Sequence, residues 1–362
     1  SISTFMIIGT FVVFKQLSFM QQKKLGFNKD QVMIIQTADE DFHDNADAIR
    51  STMITHNNIL DVSSTSAYPG RNSSGMIYNA EGMEEGEKVT VWEWRVNEHL
   101  VETMGFKLIQ GRDFHTSDRE SKELEFIVNQ TAVSIFGWDG NDCIGKSITS
   151  GAGTGRCIGV LEDFHFTSLR QEVEPMALCL RDGFHKYFVI RMGSGNISHT
   201  VNFVEEKWEE VAQNEPLNYY FLDQDFDRLF KNERKVSQVF LIFAILTILI
   251  ACLGLFGLSS YAAVQRTKEI GIRKAMGSTV PGIMFLFIKD NLKFIVISLI
   301  FSLPLGYFMM NKWLEGFAYR ISVGWDVIIA VIFIVIFIAI GTVSFHAIIA
   351  ANTNPVDSLR HE

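Results

Sequence analysis

The residues of this sequence that could do chemistry are few and scattered. Asp163 and His165 stand two positions apart, so on a strand end they would share a face and could ligate a metal. The nine histidines show no paired ligand spacing, and no Cys-x-x-Cys is present, so a metal site is not expected. Residues 151–155 are rich in glycine but lack the Gly-Lys-Ser/Thr ending of a phosphate loop, and a hairpin turn is predicted there. We therefore expect no catalytic residue, no cofactor and no metal in this chain.

The cysteines do not form a disulfide framework. Cys252 lies in an apolar segment, and the other three, Cys143, Cys157 and Cys179, lie in a polar region. Cys143 and Cys157 flank the predicted hairpin, and a bond between them stays open. Because the number is odd, three reduced buried thiols are the favoured interpretation.

The most informative chemistry is a charged string, Arg266 to Gly277, placed between two long apolar segments. No charged residue occurs from Val236 to Gln265. Short loops rich in Lys and Arg stay on the cytoplasmic side of a membrane. The string is either a solvated basic loop or a short amphipathic helix that presses apolar residues into a groove on a soluble partner. Those apolar residues would be Ile270, Ile272 and Met276.

Four segments are predicted to cross the membrane as helices, since each is uncharged over most of a length near the ~20 residues required. The first, Ile2 to Phe14, could also be the apolar part of a signal peptide, but no basic segment precedes it. We expect instead a membrane helix whose beginning lies upstream. The other three spans are Val236–Val264, Ile283–Met310, which Pro304 should kink, and Val327–Ala351.

The spans and the basic loop determine sidedness. The region from about Gln21 to Lys235 lies outside, together with the turn Asn311–Gly324, and the tail Asn352–Glu362 lies inside. The outer region carries 35 acidic and 22 basic residues and the rest of the chain 6 acidic and 10 basic, so the acidic balance behind the formal net charge of -9 belongs to the outer region. An acidic outer region argues against nucleic acid as a partner.

Within the outer region, two β-α-β units flank an insertion at about 69–182, which predicts a split α/β sandwich. The insertion is rich in strands, and Val89–Val96 is predicted to be its longest. Asp223–Lys235 is predicted to be one helix that runs straight into the second span. The two units comprise the strands Val32–Ile35, Asp61–Ala67, Lys186–Met192 and Leu217–Leu222 and the helices Asp39–Asn57 and Asn196–Gln213.

Together these segments resemble the FtsX/MacB-type ABC transporter permease family. The loop Arg266–Gly277 and the tail Ala351–Arg360 are similar to the cytoplasmic coupling segment and the ending of that family. Further matching stretches are Leu25–Asn28, Gly111–Phe114, Gly159–Leu169 and Phe317–Ile321. The opening of the chain resembles the second half of a tandem eight-span member, and a truncated four-span subunit is the alternative.

The resemblance implies a membrane protein with four transmembrane α-helices and a large α+β extracytoplasmic domain inserted between helices 1 and 2. Its implied divisions are transmembrane helix 1 at 1–20, the periplasmic MacB-like domain at 21–235, the FtsX-like membrane domain at 236–351 and the cytoplasmic tail at 352–362. The periplasmic domain consists of a split part, about 21–68 and 183–222, and the insertion. The coupling loop is placed at 265–282.

The resemblance also implies a function. The chain would be a permease subunit of the bacterial inner membrane, without a nucleotide-binding site, that exports or extracts a hydrophobic, peptide or lipoprotein cargo. ATP and Mg²⁺ would bind to a separate ATPase subunit. Other implied partners are a second permease half and a periplasmic adaptor or outer-membrane protein. The alternative is a non-transporting transmitter that regulates cell-wall hydrolases or senses a ligand. The implied ATPase contacts are Lys268, Glu269, Ile270, Gly271, Ile272, Arg273, Lys274, Ala275, Met276 and Gly277.

Overall fold

The computed structural model divides the chain into two compact units, each described here by itself. The outer domain is Lys23–Lys231, and the membrane unit comprises Ser1–Gln22 and Asn232–Glu362. The sequence places these boundaries at 20/21 and 235/236. The structure describes residues 2–23, 25–37, 46–71, 75–84, 86–121, 123–139, 142–181, 183, 185–212, 216–265, 272–273 and 276–352.

The helices and strands follow one another in a simple order. The first elements are α1 (Ile2–Gln22), β1 (Val32–Gln36), α2 (Ala46–Met53), β2 (Ile59–Thr65), β3 (Gly75–Ala80), β4 (Val89–Val96), α3 (Leu100–Met104), β5 (Leu108–Gly111), β6 (Leu124–Asn129), α4 (Gln130–Ile135), β7 (Ser147–Ser150), β8 (Gly153–Leu161) and β9 (Met176–Leu180). The remainder are β10 (Tyr187–Met192), α5 (Ile197–Ala212), β11 (Asn218–Phe221), α6 (Leu222–Asp227), α7 (Lys231–Gln265), α8 (Val280–Leu314) and α9 (Trp325–Asn352).

Helices α1, α7, α8 and α9 each contain a segment long and apolar enough to cross a membrane. With the α/β outer domain between α1 and α7, the predicted fold class is confirmed. Helix α8 begins directly after Thr279 with a proline in its first turn, where a missing N–H costs nothing. The loop between α7 and α8 is therefore shorter than the predicted 265–282. Pro304 lies inside α8 without ending it.

The membrane unit is held together by apolar contacts of α1 with its neighbours. Gly9 on α1 faces the ring of Phe240 on α7, and a Cβ there would lie 2.4 Å from that ring. The missing side chain of Gly9 leaves the space that this ring occupies. Elsewhere α1 packs against α8 and α9 in one cluster of buried residues: Ile7, Ile8, Val12, Met310, Leu314, Val323, Val327 and Val331.

The first part of the outer domain is a four-strand sheet segment in the order β11-β1-β10-β2, with all neighbours antiparallel. Each β-α-β unit therefore encloses one strand of the other unit, which is the split arrangement expected from the sequence. Val204 and Trp208 on α5 are fully or almost fully buried in the core between this sheet and the helices. Helix α2 covers only Ala46–Met53, and residues 39–45 of the predicted Asp39–Asn57 helix lie outside the described residues.

The insertion forms a closed ring of six strands. Its order is β4-β3-β7-β8-β6-β9, and β9 pairs in parallel with β4 to close it. Side chains alternate between the two faces of each strand, so Val91, Phe126 and Cys179 fill the interior while Trp94 and Leu178 lie in the neighbouring core. Strand β4 has the predicted bounds Val89–Val96, but among the described residues the longest strand of the insertion is β8, with nine residues, so the prediction that Val89–Val96 is the longest was wrong.

The predicted single helix Asp223–Lys235 was also wrong. Helix α6 ends at Asp227, a 3₁₀ turn follows at Arg228–Phe230, and α7 begins at Lys231. Phe226 and Phe230 are both buried. A 3₁₀ turn is wound more tightly than an α-helix, so it changes the direction in which successive side chains point. It occurs where the rings of Phe226 and Phe230 are both buried.

Candidate functional site

The first candidate site is the predicted ATPase-contacting region, which we call the coupling segment (Lys268–Gly277). The structure describes Ile272, Arg273, Met276 and Gly277 of this segment. The other six predicted contact residues lie outside the described residues: Lys268, Glu269, Ile270, Gly271, Lys274 and Ala275.

The end of the coupling segment is a helical turn. The N–H of Met276 donates to the carbonyl of Ile272 at 2.9 Å, and the N–H of Ser278 donates to the carbonyl of Arg273 at 2.9 Å. Gly277 has φ of 91°. A glycine of positive φ with a bond spanning five residues is the Schellman end of an α-helix. The last glycine of the motif thus has a structural reason, because the helix stops there.

The exposed side of this turn is apolar. Ile272 is 53% exposed and Met276 is 81% exposed. Residues four apart in a helix lie on the same face. The two side chains therefore form a small apolar surface beside Arg273, which is the chemistry expected of a docking helix. Contact with an ATPase stays a prediction for all ten residues.

The second candidate site lies in the outer domain, where five aromatic rings meet. We call it the junction cluster (Phe27, Phe106, Phe164, Phe226 and Phe230). The ring of Phe27 lies 6.3 Å from that of Phe106, 6.4 Å from Phe164 and 5.6 Å from Phe226. Phe226 in turn lies 6.0 Å from Phe230. Phe27 follows α1 and Phe230 precedes α7, so both connections of the outer domain start from one cluster.

Two of the resembling stretches are explained by this cluster. Gly26 has φ of +85°, and a Cβ there would lie 2.7 Å from the Cβ of Phe164. The N–H of His165 donates to the carbonyl of Leu25 at 2.8 Å. The stretches Leu25–Asn28 and Gly159–Leu169 are therefore adjacent in space, and only glycine permits the close approach.

A buried carboxylate connects α6 to the loop after β2. Asp225 is 6% exposed and accepts a hydrogen bond from the hydroxyl of Tyr68 at 2.8 Å. Arg228 lies 3.1 Å from the other carboxylate oxygen, and Arg71 lies 3.8 Å away. Burial, followed by hydrogen bonding, raises the pKa of Tyr68, so the hydroxyl keeps its proton and remains a donor. This group fixes the position of α6 immediately before α7.

The Asp163 and His165 pair does not form a ligand set. Asp163 accepts hydrogen bonds from the backbone N–H of Thr131 at 3.0 Å and from its hydroxyl at 2.8 Å, and so holds the start of α4. His165 is 8% exposed, and burial together with the charge of Lys23 lowers its pKa to about 4. Within the described ranges, three or more ligating side chains come together nowhere.

The stretch Gly111–Phe114 forms a charged turn. A Cβ at Gly111 would lie 2.1 Å from the carbonyl oxygen of Ile158, and φ of +73° adds a second reason for glycine. Arg112 forms ion pairs with Asp118 at 2.6 Å and with Glu125 at 3.0 Å. These contacts secure a turn on the surface of the ring and give no sign of catalytic chemistry.

The cysteines are all reduced. Burial raises the pKa of Cys157 and of Cys179 to about 12, so both stay protonated and unreactive. The predicted hairpin is present, because Ser150 pairs with Gly153 across a two-residue turn.

One polar residue of α1 was missed by sequence reasoning. Gln16 is 1% exposed, its amide nitrogen donates to the carbonyl of Tyr319 at 2.8 Å, and its amide oxygen accepts from the N–H of Ile321 at 2.9 Å. Beside it, Lys15 forms an ion pair with Asp326. The available signal was an amide in an apolar helix, which must find hydrogen-bond partners in a membrane.

Comparison with known proteins finds a family that this chain resembles. Residues 241–355 match the family model described as FtsX-like permease C-terminal. This segment is an FtsX-like permease domain. The resemblance to the FtsX/MacB-type ABC transporter permease family is thereby confirmed. An uncharacterized ABC transporter permease of Methanocaldococcus jannaschii is 25% identical over 183 residues, which cover 44% of this chain and 43% of that protein. The chain thus spans less than half the length of this relative. Whether the FtsX-like domain ends a tandem eight-span protein stays a prediction.

Three solved structures are similar to the outer domain that precedes the FtsX-like domain. The periplasmic region of MacB from Actinobacillus actinomycetemcomitans has a TM-score of 0.41 and 14% identity, covering 59% of this chain and 98% of that one. The extracellular domain of the noncanonic ABC-type transporter YknZ from Gram-positive bacteria has a TM-score of 0.38 and 12% identity, covering 52% and 97%. A domain of a putative permease from Porphyromonas gingivalis has a TM-score of 0.36 and 13% identity, covering 52% and 87%.

Proposed function

We propose that this chain is the permease subunit of an ABC system that converts ATP hydrolysis on a separate subunit into movement of its periplasmic domain. An ABC transporter permease implies an ATPase partner. This movement would export or extract a hydrophobic, peptide or lipoprotein cargo at the periplasmic side of an inner membrane. A second permease half and a periplasmic adaptor or outer-membrane protein would complete the assembly.

The observation that supports this proposal most is the junction cluster. Phe27 and Phe226 are in edge contact at 5.6 Å between ring centres, and Asp225 adds a buried polar contact next to them. The helical backbone then passes through the 3₁₀ turn into α7. A packed core responds to displacement as a whole because it has few voids and low compressibility. Force that displaces any part of this cluster would therefore move the outer domain as one body.

The coupling segment supplies the first test. The double variant Ile272→Asp with Arg273→Glu replaces the exposed apolar residue and reverses the adjacent charge. We expect the full-length protein carrying it to lose its ATPase partner when native membranes are solubilised and the complex is purified. The measurement is the amount of co-purified ATPase and its activity per permease.

A matched double variant in the outer domain controls for the change in charge and polarity. Leu60 is 62% exposed and Arg170 is also exposed, so Leu60→Asp with Arg170→Glu makes the same chemical change away from the coupling segment. This control should keep the ATPase. Full association of the coupling variant would overturn the assignment.

Sidedness supplies the second test. Met276 is 81% exposed and Ile77, in the outer domain, is 60% exposed. We expect an impermeant maleimide to label Ile77→Cys in spheroplasts from intact cells and to label Met276→Cys only after lysis. The native thiols that the structure describes in the outer domain are buried, so they should stay unlabelled. Labelling of Met276→Cys before lysis would invert the proposed topology.

A further inference from the structure

The end of α8 and the turn that follows it line a surface cavity that the proposed mechanism does not use. Its volume is about 340 Å³, and one basic, one acidic, two neutral polar and two apolar residues surround it. These lining residues are Asn311, Leu314, Glu315, Arg320, Ile321 and Ser322.

The cavity adjoins the ends of two candidate membrane spans, Leu292–Leu314 and Trp325–Ser344. Helix α8 ends at Leu314 and α9 begins at Trp325, so the turn joins two membrane-spanning helices at their ends. Trp313, Tyr319 and Trp325 surround it in sequence, and aromatic residues of this kind collect at the boundary between hydrocarbon and water. A ligand of this cavity would therefore be met at the membrane surface.

Hydrogen bonds hold the backbone on both sides of Arg320. Gln16 binds the carbonyl of Tyr319 and the N–H of Ile321, the two backbone groups that flank Arg320. Arg320 thus lines the cavity on a backbone that is hydrogen-bonded on both sides. A preorganised group loses less conformational entropy when it binds a ligand than a mobile one.

The two charged side chains that line the cavity do not form an ion pair with each other. In the part of the chain that the structure describes, neither Arg320 nor Glu315 has an ion-pair partner within 4.0 Å. A guanidinium is suited to the oxygens of a phosphate, and a carboxylate is suited to an ammonium group. A ligand that carries both charges matches this arrangement better than an anion alone, which Glu315 would repel.

We propose that this cavity binds the headgroup of a zwitterionic phospholipid that carries a primary amine. Arg320 and Ser322 bind the phosphate, and Glu315 binds the ammonium group. Ile321 is half-buried and contacts the apolar part below the headgroup, and the buried Leu314 lies behind it in the packed cluster of the membrane unit. The site selects lipids by the amine, because a primary ammonium donates three hydrogen bonds and a quaternary one donates none.

The experiment uses the full chain in detergent micelles, with bound lipids counted by native mass spectrometry. The probes are dioleoyl phosphatidylethanolamine, phosphatidylcholine and phosphatidylglycerol, added singly at equal concentration. We expect the wild type to retain phosphatidylethanolamine at least roughly threefold better than either other lipid, the ratio produced by one exposed charge contact. Soluble phosphoethanolamine should not compete at the same concentration, because it lacks the acyl chains that hold the lipid at this depth.

Three variants separate the roles of the residues. Arg320→Gln should weaken retention of phosphatidylethanolamine and phosphatidylglycerol alike, and Arg320→Lys should restore part of it. Glu315→Gln should leave binding in place but remove the preference for the amine. Lys312→Gln changes an exposed charge of the same turn that does not line the cavity, and it should have no effect. Thermal unfolding in the same micelles verifies that each variant is folded.

The proposal is overturned by either of two results. One is equal retention of the three lipids by the wild type. The other is a folded Arg320→Gln variant that binds as the wild type does. Displacement of the lipid by soluble phosphoethanolamine would assign the cavity to a free phosphorylated amine and would also reject the lipid.

Discussion

Replacing Gln16 by leucine should destabilise the membrane unit, because it removes both atoms that bind the backbone of the α8–α9 turn. Gln16 is 1% exposed, and its two hydrogen bonds measure 2.8 Å and 2.9 Å. Leucine has a similar volume, so little packing is lost and the polar contacts dominate the change. The carbonyl of Tyr319 and the N–H of Ile321 would then lie without their partner.

The expected magnitude follows from hydrogen bonds measured within membranes. These average about 0.6 kcal/mol each and reach about 1.7 kcal/mol. Two such bonds give a loss between about 1 and about 3 kcal/mol in the free energy of unfolding.

The assay is reversible unfolding of the full chain by denaturing detergent, followed by tryptophan fluorescence. Gln22→Leu is the matched control, because Gln22 is on the same helix, is exposed and donates a hydrogen bond to the side chain of Ser18 at 3.1 Å. A Gln16→Leu variant whose stability lies within about 0.5 kcal/mol of the Gln22→Leu variant would refute the reasoning.

Three further predictions concern the outer domain and are measured as free energies of unfolding of the full chain. Tyr68→Phe removes a donor from the buried carboxylate of α6 and should cost about 1.5–3 kcal/mol, whereas Tyr261→Phe, a control in α7 whose hydroxyl accepts an exposed bond from Gln265, should cost less than half as much. Gly111→Ala should destabilise far more than Gly137→Ala: both have positive φ and share a strain of about 1–2 kcal/mol, but only Gly111 faces a backbone oxygen 2.1 Å from the new Cβ. Burial lowers the pKa of His165 to about 4, whereas the same side chain in the unfolded chain binds a proton near pH 6.5. The free energy of unfolding should therefore fall as the pH drops from about 6.5 to 4, by at most about 3 kcal/mol. His165→Phe should flatten this pH dependence, and unchanged curves would contradict it.

The sequence was sufficient for features that depend on local composition and period. The apolar lengths of α7, α8 and α9 are visible without any tertiary information, since a membrane span must be uncharged for about 20 residues. The split sheet was also predictable, because each β-α-β unit has its own alternation and its own amphipathic helix. The helical spacing in α5 predicts one apolar face of Val201, Val204, Trp208 and Val211, of which the first three are buried and Val211 is half-buried.

The ring of the insertion could not be predicted in this way. Its closing contact pairs Trp92–Val96 with Met176–Leu180, about eighty residues later, and it is parallel where most neighbours are antiparallel. Nothing in the local pattern of β4 indicates which distant strand lies beside it, because both of its faces are largely buried. The nine-residue β8 was also not predicted from the sequence, because its glycines and arginine weaken the alternation of apolar and polar residues.

The candidate sites show the same division. The helix end at Gly277 follows from residue types alone, because a glycine after a helical turn is a recognised stop signal. The junction cluster does not, since Phe27, Phe164 and Phe226 belong to stretches more than sixty residues apart and become neighbours only through the sheet. This common contact is a shared structural reason for the residues of the stretches that resemble the family. If that reason is mechanical, Phe226→Ala should lower the ATP-dependent response of the outer domain without lowering ATPase association, whereas a purely structural role would lower both in proportion to the unfolded fraction.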